Sequence, residues 1–167
     1  MINKQNSFPD IGSKALELLE NRGVTIKDIA ELVYFLQKNY HPQLTLEDCE
    51  ENVRAVLSKR EVQNAVLTGI HLDILAENGK LEEPLQSIIK TDEGLYGVDE
   101  ILAFSIVNVY GSIGFTNYGY IDKLKPGILK YLNDKSTGKC NTFLDDIVGA
   151  IAAAASSRLA HRAANVE

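Results

Sequence analysis

Arg60-Glu-Val-Gln-Asn-Ala-Val-Leu-Thr-Gly-Ile-His-Leu-Asp-Ile-Leu-Ala-Glu-Asn78 is the stretch that decides the fold class. Val62, Ala65, Val66, Ile70, Ile74 and Leu75 recur at steps of three and four, which stacks their side chains on one face of an α-helix. Gly79 follows as a C-terminal stop. A half-buried strand would alternate apolar and polar residues instead, and no stretch of this chain does so convincingly.

The same periodicity extends in both directions. Towards the N-terminus, Ile11, Ala15, Leu18 and Leu19 form one stripe before Gly23, and Thr25 caps a second helix whose inner face is Ile26, Ile29, Ala30, Val33 and Phe35–Leu36. That helix ends before His41-Pro42. Thr45 opens a third, residues 46 to about 59, with Glu47, Asp48, Glu50 and Glu51 at the end where a helix dipole favours anions. Towards the C-terminus come a short element over 81–90 with Pro84 in its first turn, a long uncharged helix from Val98 onward, a short helix over 127–132, and a last helix capped by Thr142 and running to about Ala163. The glycines between Gly111 and Gly119 suggest a break or turn in the uncharged segment. The expected fold is all-α: one domain over 1–167, a helical bundle of about seven to nine helices with two long, buried C-terminal helices.

Composition narrows the function. The chain has 17 basic and 23 acidic residues, a net charge of −6, which argues against a nucleic-acid partner. The acidic surplus lies wholly in residues 1–94, which carry 10 basic and 16 acidic side chains, against 7 of each in 95–167. Two isolated cysteines, Cys49 and Cys140, make neither a disulfide framework nor a four-ligand zinc site and suit a reducing cytoplasm. The first seven residues hold no apolar leader core. The 21 uncharged residues between Glu100 and Asp122 match a membrane span in length. Their Asn, Ser, Thr, Gly and Tyr content reads instead as a helix buried in protein, at a contact between subunits. The expectation is a cytoplasmic homo-oligomer, possible as a tetramer, with at most peripheral contact at the inner face of a membrane.

Chemistry concentrates in two acid pairs that interrupt the most apolar parts of the chain, Asp99-Glu100 and Asp145-Asp146. Acids in a first helical turn stabilise the dipole, which is one reading of both pairs. The other is a site for a hard divalent cation, Mg2+ or Mn2+, with Asp99, Glu100, Asp145 and Asp146 as oxygen ligands from facing helices. Asp146, Gly149, Ala150 and Ala153 share a face along which a second helix could approach closely, or form a plain packing seam. Lys139, Asn141 and Thr142 precede the last helix where phosphate could bind, and Asn108 lies two turns beyond Glu100. His71 and Asp73 interrupt the apolar 60–78 helix: His71 reads as a hydrogen-bonded core residue and Asp73 as a candidate participant.

The sequences Tyr96-Gly-Val-Asp-Glu-Ile-Leu-Ala, Asn108 to Asp122 and Asn141-Thr-Phe-Leu-Asp-Asp-Ile-Val-Gly-Ala-Ile resemble the phosphatidylglycerophosphatase A family. More narrowly, the chain is similar to its soluble Gram-positive branch, the low-temperature-requirement protein C group. The resemblance implies magnesium-dependent removal of the terminal phosphate of phosphatidylglycerophosphate, in phospholipid biosynthesis, with Asp99, Glu100, Asp145 and Asp146 as catalytic metal ligands. Asp73 or Asp99 would then serve as the base. Two alternatives stand beside it: a phosphohydrolase acting on a soluble substrate such as a nucleotide, and a non-catalytic helical oligomer.

Overall fold

A computed structural model describes residues 10–165. The first seven residues, expected to hold no leader core, and the two ends of the 1–167 domain lie outside the described residues. Within them there are nine α-helices, two short 3-10 turns and no strand: α1 Ile11–Asn21, α2 Ile26–Gln37, α3 Leu46–Leu57, α4 Arg60–Glu77, α5 Leu85–Lys90, α6 Val98–Val107, α7 Ile113–Leu124, α8 Ile128–Leu132 and α9 Leu144–Ala164. The all-α, single-domain reading holds. Thr25 and Thr45 each form a capping box, in which Asp28 and Asp48 accept from the threonine N–H in return.

α9 is the axis. Every residue from Cys140 to Ser157 is buried. A helix apolar on all sides must be surrounded, and α2, α3, α4, α6, α7 and α8 all pack on this one. Its alanine run, Ala150 and Ala152–Ala155, keeps the axis slim enough for those neighbours to close around it.

The uncharged stretch is not one long helix. It is divided into α6 and α7 by a 3-10 turn at Asn108–Tyr110 and by Gly111, whose φ of +91° only glycine adopts cheaply. Each half buries a single stripe, Ala103, Ile106 and Val107 on α6 and Gly114, Tyr118 and Ile121 on α7. Their outer faces leave Ile101 64% and Ile113 55% exposed, so the burial expected along this segment is only partial within one chain.

The closest helix approach lies at Gly69 rather than Gly149. A methyl on Gly69 would overlap Ile147 Cδ1 of α9 and press against Phe143 Cβ at 3.0 Å and Leu102 Cδ2 at 3.2 Å. One on Gly149 would meet Tyr118 and Ile121 at 3.6–3.7 Å, an ordinary contact. Gly69→Ala is therefore expected to cost about 1–3 kcal/mol by overpacking. Gly149→Ala should be neutral, or stabilising by up to about 1 kcal/mol through helix propensity. Urea denaturation of both variants checks this, and the reverse order would contradict it.

Candidate active site

The start of α9 is held by a buried polar strap from four other elements. Asp73 of α4 is fully buried, and its carboxylate accepts hydrogen bonds from the backbone N–H groups of Phe143 (2.9 and 3.2 Å) and Leu144 (2.9 Å). One turn along α4, Glu77 accepts from Cys140 N–H at 2.8 Å and pairs with Arg22 at 3.1 Å. Arg22 also donates to the Cys140 carbonyl at 2.6 Å and to Asn141 Oδ1 at 2.9 Å. Asn141 Nδ2 donates to the Leu132 carbonyl, and Thr142 Oγ1 to the Ile89 carbonyl at 2.6 Å. The aromatic ring of Tyr96, just before α6, meets that of Phe143 edge-on at 5.8 Å. That contact ties the N-terminus of α6 to the N-terminus of α9 and brings the two acid motifs together.

This strap changes several expectations. Thr142 does not cap α9; Asp73 does, from another helix. Asn141 and Thr142 spend their donors inside the protein, and the first N–H groups of α9 are already occupied by a carboxylate. An incoming phosphate there would have to displace that buried carboxyl group. Lys139 and Asn108 are exposed. His71 is exposed as well, not in the core, and its Nδ1 bonds the Leu67 carbonyl of its own helix. Burial pushes the Asp73 carboxyl up to about 8, against the pull of the Phe143 and Leu144 N–H groups and of Arg22. With both oxygens engaged and no exposure, Asp73 is built as an anchor for α9 and has no route to a water molecule.

The two acid motifs split differently. Asp99, Asp145 and Asp146 are nearly buried, at 8%, 7% and 6% exposure, whereas Glu100 points outward. Asp146 lies against Asp99, and burial, then Asp145 beside it and Asp99 across from it, hold its carboxyl well above the usual range. Asp145 is also raised by burial, with Lys125 pulling the other way. Its Oδ1 accepts from Asp146 N–H at 2.8 Å and its Oδ2 from Lys125 Nζ at 3.0 Å. Lys125 also reaches Asp122 at 2.5 Å. The Tyr118 hydroxyl, on a residue 5% exposed, lies beside Asp146, Asp122 and Asp145 yet makes no well-formed hydrogen bond among the described residues.

Among the described residues no three His, Cys, Asp or Glu side chains converge to cage a metal. Of the four carboxylates expected from sequence, the structure sets Asp99 and Asp146 against each other. That pair still fits magnesium, which keeps several waters and needs only one or two carboxylates. Two abutting buried carboxylates with no cationic partner, and a stranded hydroxyl beside them, form the kind of donor set that a hard cation with its water relieves.

Sequence reasoning missed Lys125, Asp122 and Tyr118, together with the Arg22–Glu77 strap. The charges Asp122 and Lys125 end the 21-residue uncharged run just before Pro126. A charge pair at that boundary, three residues apart on one helix face, was the available signal. Two surface clefts, one lined by His41, Asp48, Asn52 and Arg162 and the other by Leu16, Ile26 and Arg54, lie away from the acid pairs.

Helices packed around a buried axis, with acid motifs from two of them meeting at one end, define the chain as an all-α bundle. Comparison gives its family. Residues 15–161 match the family model "Phosphatidylglycerophosphatase A", and the chain belongs to that family. It is 68% identical to the uncharacterized protein YutG of Bacillus subtilis, over 99% of this chain and 100% of YutG. A solved protein of unknown function from Bacillus stearothermophilus superimposes with a TM-score of 0.93 at 76% identity, covering 96% of this chain and 99% of that one. The low temperature requirement C protein of Listeria monocytogenes does so with a TM-score of 0.92 at 68% identity, covering 93% and 98%. No helix among the described residues is long and apolar enough to cross a membrane.

Proposed function

We propose that this chain is a magnesium-dependent phosphatase that removes the terminal phosphate of phosphatidylglycerophosphate to give phosphatidylglycerol. The observation that carries the reading is the contact of Asp99 with Asp146 across α6 and α9, next to the unpartnered Tyr118 hydroxyl. Family membership supports the phosphatase chemistry and the lipid substrate.

Asp99 and Asp146 would hold the ion. When bound, magnesium supplies a Lewis acid for a phosphoryl oxygen and eases deprotonation of water. Asp73 is tied to the backbone of α9, so an Asp99 oxygen not engaged by the ion would accept that proton. The Tyr118 hydroxyl, which lies beside Asp146, would donate to a phosphoryl oxygen or a water in the site. Lys125 keeps Asp145 fixed through its 3.0 Å contact. Residues 140–144, strapped by Asp73, Glu77 and Arg22, keep the carboxylates in register as substrate arrives.

Assembly of copies through α6, α7 and the loop before α6 is part of the proposal, supported by Leu95 in that loop and by Ile101 and Ile113, which are 92%, 64% and 55% exposed. Sedimentation at the mass of a single chain at micromolar concentration would overturn it. The activity is tested by phosphate release from phosphatidylglycerophosphate in detergent micelles, with magnesium or with chelator, beside glycerol phosphate and nucleotides. Magnesium-dependent release from the lipid is expected. Release from a nucleotide alone would transfer the site to soluble substrates, and none from any ester would contradict the phosphatase reading.

A further inference from the structure

Of the acidic side chains at this end of the bundle, one already has a resident cation. Lys125 Nζ sits 3.0 Å from Asp145 Oδ2 and 2.5 Å from Asp122 Oδ1, on a side chain 23% exposed. The other oxygen of Asp145 is taken by the Asp146 N–H. Asp99 and Asp146 have no cationic partner among the described residues, and they abut each other. The charge deficit is therefore local to that pair.

The backbone at Lys125 adds a second observation. It terminates α7 in the left-handed conformation, φ +48° and ψ +50°, which side chains other than glycine and asparagine seldom adopt, and Pro126 follows. A lysine kept there at a conformational cost directs its ammonium inward, back over the end of its own helix and onto α9. The Tyr118 hydroxyl lies beside Asp146, within reach of the same group of carboxylates.

We infer that Lys125 stands in place of a second metal ion, neutralising Asp145 and Asp122, so that the site takes one divalent cation at Asp99 and Asp146. This rests on the metal-dependent reading above. A compact ammonium with three donors can serve two carboxylates at once, as a small cation would. Asp145 is then an electrostatic partner of Lys125 and a positioning residue, not a ligand. Lysine at this place also makes the charge of the site independent of a second ion's availability.

The test counts ions with Mn2+ as the probe, by electron paramagnetic resonance of the full chain with no substrate present. One Mn2+ per chain is expected for wild type and for Lys125→Arg. Lys125→Met, which frees Asp145 and Asp122, is expected to bind two. Asp145→Asn should keep its single ion, and Asp146→Asn should bind it at least about tenfold more weakly. The Asp145→Asn arm does not depend on Lys125→Met folding, and circular dichroism checks both. Two ions on wild type, one on a folded Lys125→Met, or loss of the ion in Asp145→Asn would overturn this assignment alone. A wild type that takes up no Mn2+ would overturn the metal-dependent reading along with it.

Discussion

Asp146→Asn is expected to lower phosphate release at saturating magnesium by on the order of a thousandfold while leaving the fold intact. The side chain is isosteric, and it replaces a carboxyl that burial and the neighbouring Asp145 and Asp99 already hold well above its usual range. Removing its charge relieves a like-charge contact in a desolvated place, so the metal-free variant should melt no lower than wild type. The magnesium dependence of melting then separates function from structure. An ion present at a hundred times its dissociation constant stabilises the folded state by about 2.7 kcal/mol, which raises the melting temperature of a chain this size by about 5–10 °C. Wild type should show that rise and Asp146→Asn should not. A variant that loses activity but keeps the magnesium-dependent rise would move the ion away from Asp146.

Asp73→Ala should have the largest effect on stability. It strips the acceptor from two buried N–H groups at the head of α9 and leaves them with nothing to bond. Each orphaned donor costs about 1–3 kcal/mol, so the loss should reach about 2–6 kcal/mol, or a fall of roughly 4–24 °C in melting temperature. Asp73→Asn keeps a carbonyl oxygen for one of them and should cost about half as much. Calorimetry of the two variants decides between anchor and base. If Asp73 were the base, both variants would melt like wild type and lose turnover equally; as an anchor, the loss follows stability and is smaller for Asn.

The helices were legible because each carries its own stripe and its own punctuation. Thr25 with Asp28, Thr45 with Asp48, and the glycines after α1 and α4 act within a few residues of one another, and local sequence states them directly. The closeness of the two acid motifs was legible too, through their interruption of apolar segments. What each acid does was not. Glu100 follows Asp99 in sequence, yet one faces solvent and the other the interior, because 100° of helix rotation separates them and only the position of α9 decides which turns inward. Asp73 and Asp145 were assigned by residue type, whereas their tasks come from partners 70 and 20 residues away, Phe143 and Lys125. Thr142 looked like a cap because threonine before a helix is one; a buried carboxylate from α4 took that place, and the hydroxyl went to Ile89. Local hydrogen bonds are written in adjacent residues, and a buried network between helices is written only in their packing.

The most direct measurement is anomalous diffraction from crystals soaked in Mn2+, since the central claim concerns where one ion sits. A single anomalous peak is expected between the Asp99 and Asp146 carboxylates, with oxygen distances of about 2.0–2.2 Å in near-octahedral geometry and Lys125 still on Asp145. A peak centred on Glu100 or Asp145, or no peak near either acid motif in crystals of active protein, would contradict it.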